Sequence, residues 1–163
     1  MMELKYNIIL RWFLLGLSLT YSSQTFANRN PTYHVACVKI GADGYVTLDV
    51  WDVNLKSRYT SHQARKDALH SILFAGIGGG SDCTPQPPIL NVQSERESFK
   101  KMEKVFFSRK GDWILFTRSD ELYNTQTTID QSGNKIFRVI LSKSELQKYL
   151  DEKKVTERLN KNF

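Results

Sequence analysis

Two cysteines and three histidines are the residues of this 163-residue chain with the widest chemical range. Two thiols can form a disulfide in an oxidising compartment, and a thiol beside a histidine can act as a nucleophile. Because Cys37 and Cys83 are the two cysteines, a single intramolecular pairing exists. We therefore predict a Cys37–Cys83 disulfide, and two unpaired thiols are the alternative.

A cysteine nucleophile needs a histidine within hydrogen-bonding reach. The sequence offers Cys83 with His62 or His70, because the loop that carries Cys83 follows the helix that carries both histidines. No G-x-S-x-G motif occurs, so a serine nucleophile elbow is not predicted. A half-cystine near two surface histidines is the favoured interpretation, and we predict no catalytic residue.

The histidines are poorly spaced for metal binding. His62 and His70 are eight residues apart, which on one helix separates them by about 12 Å along the axis. That distance is too great for the two side chains to share one ion. His34 and Cys37, three residues apart on a strand, point to opposite faces. We predict neither a metal site nor a cofactor.

A glycine run, Gly78 to Gly80, invites comparison with a phosphate-binding loop. Such a loop precedes a helix, whose N-terminus faces the anion, and is usually followed by a lysine. Here the glycines follow a helix and lead into prolines. The run therefore predicts a turn that ends the helix.

The same segment is the best candidate for a contact surface. It is too rich in glycine and proline for a regular element, and long loops in compact domains are often functional. Trp51, on the less apolar face of its strand, is the aromatic side chain most suited to meet a partner. The predicted interaction residues are Trp51, Gly78, Gly79, Gly80, Pro87 and Pro88.

The densest basic group is predicted to follow one helix. Its members are Lys100, Lys101, Lys104, Arg109 and Lys110. Favourable interaction with the helix dipole accounts for part of this group, and binding of an anionic glycan or lipid is the functional alternative. The net charge of +6 is modest, and no aromatic-interleaved basic motif indicates nucleic acid.

The N-terminus has the features of a secretory signal peptide. Lys5 lies before a short apolar core from Trp12 to Leu19, and Thr25-Phe26-Ala27 fits a small-x-small cleavage site. The apolar run is shorter than the roughly 20 residues that span a bilayer. We predict a signal peptide over residues 1–27 and a single α+β domain over residues 28–163, exported to the periplasm or secreted.

The elements expected in that domain follow the order β-β-α-loop-α-β-β-α, with a mainly antiparallel sheet packed against helices. Alternation predicts strands over Tyr33–Ile40 and Tyr45–Val53, joined by a turn. A helix capped by Ser61 follows and ends at Gly76.

Ser94 and Glu97 have the capping-box spacing, which predicts the start of a second helix that ends at Gly111. Further signals predict a buried strand at residues 113–116, an edge strand near residues 125–129, a turn at 131–134 and a central strand at 136–141. The last helix is predicted from a capping box of Ser142 with Glu145 and a staple of Leu141 with Leu146.

GYVTLDVW, ARKDALHSILFAGI and FRVILSKSELQKYLDEKKVTERL, with the Pro-rich loop, resemble a family of small secreted bacterial proteins of unknown function. More remotely, the strand and the alanine-containing helix are similar to the N-terminal domain of flagellar assembly protein T and related outer-membrane lipoproteins. The resemblance implies an envelope-associated, non-catalytic α+β domain. The chain departs from the lipoprotein relatives because no cysteine follows the signal directly.

These observations favour a non-enzymatic exported envelope protein that acts as a protein-interaction or structural module. Its expected partner is an envelope protein, and no nucleic-acid partner is expected. The first alternative is binding of an anionic glycan or lipid surface through the basic helix. The second alternative is a cysteine-dependent hydrolase.

Overall fold

A computed structural model describes residues 32–80, 82–120 and 128–156. They form an α+β domain in which three helices pack against a five-stranded antiparallel sheet, as predicted. The predicted signal peptide at residues 1–27 lies outside the described residues.

Five strands form the sheet, and every described pairing between them is antiparallel. They are β1 (Tyr33–Ile40), β2 (Tyr45–Asp52), β3 (Thr117–Ser119), β4 (Thr128–Ile129) and β5 (Lys135–Ser142). The order is β1-β2-β5-β3, and β4 also pairs with β5. The strand predicted to be central from its apolar sequence is thus the strand with the most neighbours.

The helices are α1 (Ser61–His70), α2 (Gln93–Phe106) and α3 (Lys143–Glu152). A π-helical turn, Ser71–Ala75, extends α1 to Gly76, where the predicted helix end is confirmed. Gly76 has a φ of 84°, a conformation that favours glycine. A Cβ at this position would lie 2.5 Å from the carbonyl oxygen of Gln86, so the close approach of the following loop also requires glycine.

One face of the sheet forms the core. Val46, Leu48 and Val50 of β2 are buried, as their alternation predicts, and so are their counterparts on β5 (Phe137, Val139 and Leu141). Helix α1 covers this inner face with Ala64, Ala68 and Leu69. The small alanine side chains allow α1 to lie close to the strands.

Two predicted helix caps are wrong, that of α1 by one position and that of α2 by two. Thr60, not Ser61, caps α1, because its hydroxyl accepts from the Gln63 N–H while the Gln63 side chain accepts from the Thr60 N–H. Helix α2 begins at Gln93, before the predicted Ser94, and the Glu95 carboxylate accepts from the Val92 N–H at 3.2 Å. In both helices the side chain three residues after the N-cap, Gln63 or Glu95, accepts a hydrogen bond from the backbone N–H of the N-cap residue.

The predicted capping box of α3 is also wrong. Ser142 precedes the helix, but its side chain makes no cap hydrogen bond and its buried Oγ has no partner. Ser142 is still paired with Tyr45 in the sheet, so β5 passes directly into the helix without a capping turn. The staple residues Leu141 and Leu146 are both buried.

The strand predicted at residues 113–116 is instead a 3₁₀ turn, Asp112–Phe116. Trp113 and Phe116 are buried whereas Ile114 and Leu115 are exposed, a spacing of three that fits a 3₁₀ turn. The Trp113 indole donates to the Ser108 carbonyl at 2.8 Å, which fixes the turn. The strand follows it as β3.

The hairpin turn predicted at residues 131–134 is confirmed between β4 and β5. The Asp130 carboxylate accepts from the backbone N–H groups of Ser132 and Asn134, each at 2.8 Å. Of the predicted edge strand near residues 125–129, the pair Thr128–Ile129 is a strand and residues 125–127 lie outside the described residues.

Candidate functional site

The face of the sheet opposite the core is the principal surface that the described helices leave uncovered. We call it the outer face. Its side chains, all exposed or half-buried, belong to His34, Ala36, Lys39, Tyr45, Thr47, Asp49, Trp51, Arg118, Arg138 and Ile140. An antiparallel sheet commonly leaves one face in water, so openness alone does not indicate function. The arrangement of particular side chains does.

Four outer-face residues form one row across four strands. Lys39 on β1 pairs with Thr47 on β2, Thr47 pairs with Ile140 on β5, and Ile140 pairs with Arg118 on β3. Each step between strands is about 4.8 Å, so the Cα atoms of Lys39 and Arg118 are about 14 Å apart. The row therefore has a cation at each end and two uncharged side chains between them.

A β-bulge places Lys39 in this row. Cys37 pairs with Leu48, and regular pairing would next put Val38 opposite Thr47. The register shifts between Cys37 and Lys39, so Val38 is the extra residue. As a result Lys39 faces outward and Ile40 packs against the core. Bulges of this kind re-aim side chains and are frequent near functional sites.

The row lies in a groove formed by two adjoining cavities. The first, of about 520 Å³, is lined by the whole row, by Tyr45 and by the β1–β2 turn. The second, of about 180 Å³, continues past Arg118 to Leu115. Because both cavities are lined by Tyr45, Arg118 and Ile140, we treat them as one surface, the sheet groove.

The sheet groove is lined by more positively charged than negatively charged side chains. The Arg118 guanidinium lies over the Tyr45 ring, 5.6 Å from its centroid. Asp49 accepts from Nε and a terminal nitrogen of Arg138, both at 2.8 Å, and this bidentate pair neutralises its carboxylate. At the rim, Asp43 accepts from the Tyr45 N–H at 3.2 Å. Neither Lys39 nor Arg118 forms a salt bridge with an acidic group among residues 32–80, 82–120 and 128–156.

Trp51 also lies on the outer face, where it was predicted to meet a partner. It is half-buried, and its ring stacks on that of His34 with centroids 5.5 Å apart and an interplanar angle of 17°. The two residues are register partners on β1 and β2. The stack forms a flat aromatic patch beside the Asp49–Arg138 pair.

The predicted Cys37–Cys83 disulfide is present, with the Cα atoms 6.1 Å apart. It ties the Gly/Pro loop to β1, and Gly80 lies close to the Cys37 carbonyl. Two isolated β-bridges, Ile77 with Gln86 and Gly80 with Cys83, further order the segment. The loop is thus anchored at both ends and near its middle.

The predicted contact residues of this loop are mostly accessible. Gly78, Gly79, Gly80 and Pro87 are exposed, and Pro88 is half-buried. The loop reaches the end of the sheet at which β5 becomes α3, because the Lys143 ammonium donates to the Gln86 side chain. The loop and the outer face are therefore separate accessible surfaces of one domain.

The five predicted anion-binding residues are all exposed: Lys100, Lys101, Lys104, Arg109 and Lys110. Lys100 and Lys104 lie one helical turn apart on α2, on the side opposite the buried Phe99 and Phe106. Neither of the two cavities of the sheet groove includes them.

A cluster of titratable side chains lies between α1 and β1. The Tyr59 hydroxyl donates to Asp67 Oδ2 at 2.6 Å, and the Tyr33 hydroxyl lies 2.7 Å from His70 Nδ1. Burial raises the pKa of Asp67 and lowers that of His70. Burial, followed by the nearby charge of Asp67, raises the pKa of both tyrosines. Because these groups satisfy one another inside the fold, we interpret the cluster as a structural network.

Within the described part of the chain, the side chains are not arranged for the other chemistry considered from the sequence. The disulfide takes up both sulfur atoms, so Cys83 has no thiol to pair with His62 or His70. Among the described residues, no three His, Cys, Asp or Glu side chains converge to hold a metal ion. None of the described helices has the length and apolar character needed to cross a bilayer.

Sequence reasoning did not identify Lys39 or Arg118. A signal for the bulge was present, since Val35 and Cys37 alternate with outward residues but Ile40 falls out of phase. Arg118 gave no comparable signal, because β3 has three residues and the segment before it was predicted as the strand.

Comparison with known proteins yields no relative: no protein-family model, no curated protein and no solved structure matches the chain. The resemblance to small secreted proteins and to the domain of flagellar assembly protein T therefore remains a prediction.

Proposed function

We propose that this chain is an exported, non-enzymatic binding module that contacts a partner protein in the cell envelope through the outer face of its sheet. The observation that carries the proposal is the sheet groove, which a bulge and four strands shape on the outer face. The Trp51–His34 stack adds an aromatic patch to the same face. Aromatic and arginine side chains are typical anchors of protein interfaces.

Export is supported by two independent features. The N-terminal sequence fits a signal peptide, and the disulfide fits an oxidising compartment such as the periplasm or the exterior. Export also limits the partner to molecules of that compartment. The predicted resemblance to secreted and envelope proteins agrees with this location.

The Gly/Pro loop is proposed as a second contact. A free loop of this composition would lose much conformational entropy on binding. Here the disulfide and the two bridges hold it in place, so less entropy remains to be lost. Its exposed glycines allow a partner backbone to approach closely.

The proposal is tested by a lysine-reactive crosslinker applied to the native host, with mass spectrometry of the crosslinked peptides. Lys39 on the outer face should link to another envelope protein. The reference positions are Lys100 and Lys104 on α2, which are exposed as Lys39 is. Links to partners from the α2 lysines without any from Lys39 would contradict the proposed surface.

A second candidate function is binding of an anionic glycan or lipid surface by the basic helix. It is supported by the exposure of all five cationic side chains on and after α2. Exposed clusters of Lys and Arg attract polyanions in a salt-dependent way. The variant Lys100→Glu/Lys101→Glu/Lys104→Glu should then lose retention on heparin and on anionic vesicles. Unchanged retention on both would dismiss this function.

A further inference from the structure

The sheet groove has a defined pattern of charge and polarity along its length. From β1 outward it presents a cation (Lys39), a hydroxyl (Thr47), an apolar side chain (Ile140) and a second cation (Arg118). Beyond Arg118 lies Leu115, whose side chain is 74% exposed. A ligand that complements this pattern has two anionic groups, one for each cation. It also has apolar groups that can contact Ile140, between the cations, and Leu115, beyond Arg118.

The two cations of the groove are available to an external anion. Asp49, the acidic residue within the sheet surface, is already engaged by Arg138 on two hydrogen bonds. Asp43 lies at the rim, where it caps the β1–β2 turn through the Tyr45 N–H. Lys39 and Arg118 therefore offer their charge to a ligand, and Tyr45 holds the guanidinium over the groove.

The separation of the Cα atoms of Lys39 and Arg118 matches the repeat of an extended peptide. An extended chain advances about 3.3–3.4 Å per residue, and its side chains alternate between two faces. Residues i and i+4 therefore lie on one face, about 13–14 Å apart, close to the Lys39–Arg118 spacing of about 14 Å. Residue i+2 would then lie over Thr47 and Ile140, between the cations.

We infer that the sheet groove binds an extended acidic peptide segment in which two carboxylates four residues apart flank an apolar residue. This inference rests on the proposed function, since it specifies the chemistry of the partner protein. An acidic saccharide could supply the carboxylates, but it has no alkyl side chains to meet Ile140 and Leu115. A peptide supplies both kinds of group.

The test uses the purified protein and three fluorescein-labelled peptides in anisotropy titrations at low salt. GSETVTESG has glutamates four apart, GSEEVTTSG has the same composition with adjacent glutamates, and GSQTVTQSG is uncharged. We expect the first to bind tighter than the second and the third to bind least. Equal binding of all three, or no binding of the first, would overturn the inference.

Charge-reversal variants test whether the peptide binds in the sheet groove. Lys39→Glu and Arg118→Glu should each weaken binding of GSETVTESG about tenfold or more, because each replaces an attraction by a repulsion. The matched control is Lys148→Glu on α3, an exposed position outside both proposed binding surfaces, which makes the same change in net charge and should bind at nearly the original affinity. If a glutamate variant fails to fold, Lys39→Gln and Arg118→Gln test the same contacts. Equal loss of affinity in Lys148→Glu and in the two groove variants would overturn the assignment.

The competing occupant is tested with oligogalacturonate under the same conditions. Tighter binding of this saccharide than of GSETVTESG, with sensitivity to Arg118→Glu, would replace the peptide by a glycan and overturn the inference. Failure of the inference is distinguishable from failure of the proposed function. Partner crosslinks from Lys39 without peptide binding would reject the inference alone, whereas peptide binding without any such crosslinks would reject the envelope role.

Discussion

Lys39 lies directly opposite Thr47 because one extra residue interrupts the regular pairing of β1 with β2. Without this bulge Lys39 would pair with Val46 and face the core. The bulge therefore completes the outer-face row and keeps a charged side chain in water. A local irregularity of one strand decides whether the sheet groove has one cation or two.

Deletion of Val38 should destabilise the fold strongly. Regular pairing would turn Lys39 toward the core or turn Cys37 away from Cys83, and either outcome is costly. We expect the free energy of unfolding to fall by more than about 2 kcal/mol in urea titrations. The control, Val38→Ala, keeps the extra residue and should have a much smaller effect. Equal stability of the deletion variant and the original protein would show that the bulge is dispensable.

The disulfide should contribute substantially to stability. It closes a sequence separation of 46 residues and anchors the Gly/Pro loop. For a loop of this size, restriction of the unfolded chain is typically worth about 2–4 kcal/mol. Cys37→Ala/Cys83→Ala should lose about that amount in urea unfolding and become insensitive to added reductant. A response to reductant that persists in the double variant would contradict this account.

Two neighbouring glycines should respond differently to alanine. At Gly76 a Cβ would lie 2.5 Å from the Gln86 carbonyl oxygen and the φ is 84°. Gly76→Ala should therefore cost more than about 1 kcal/mol of unfolding free energy. Gly78 is exposed with nothing within 4 Å of a Cβ, so Gly78→Ala should be nearly neutral. Similar losses in thermal or urea unfolding for both variants would refute the distinction.

His70 should make stability depend on pH. Burial lowers the pKa of His70 in the folded state below its ordinary value of about 6.5. Between these two pKa values the unfolded chain binds more protons, so the free energy of unfolding rises with pH across that interval and levels off above it. The contribution is thus present above pH 6.5 and is lost as the pH falls through the folded-state pKa.

Urea titrations at pH 7 and pH 5 test this effect. His70→Gln removes the titrating group and leaves a side chain that can still bond the Tyr33 hydroxyl. The variant should lose less stability between the two pH values than the original protein. An identical loss in both proteins would exclude His70 as the source.

The parts of the fold that were predictable depend on strong local patterns. The alternation of Val46, Leu48 and Val50 predicted β2 and its buried face correctly, and the apolar run of β5 predicted its central place. The disulfide followed from the cysteine count. These predictions follow from the local sequence and the cysteine count, and they require no knowledge of tertiary contacts.

The predictions that were wrong concern features that depend on tertiary contacts. Trp113 to Phe116 has the composition of a strand, but burial of its first and last residues and the indole hydrogen bond to Ser108 select a 3₁₀ turn. The sheet groove was not predicted from the sequence, for a different reason. It combines Lys39 and Arg118, separated by 79 positions in sequence and joined only through the sheet register, so no local pattern brings them together.

The central claim is that the outer face of the sheet contacts a partner protein, and site-specific photo-crosslinking in the native host tests it most directly. The photoreactive residue p-benzoylphenylalanine replaces Ala36 on the outer face of β1 or, as the matched control, Lys148 on α3, both of which are exposed. The account predicts a discrete protein adduct from position 36 that disappears when Arg118→Glu is added, and no adduct from position 148. An adduct from position 148 alone, or one from position 36 that is insensitive to Arg118→Glu, would contradict it.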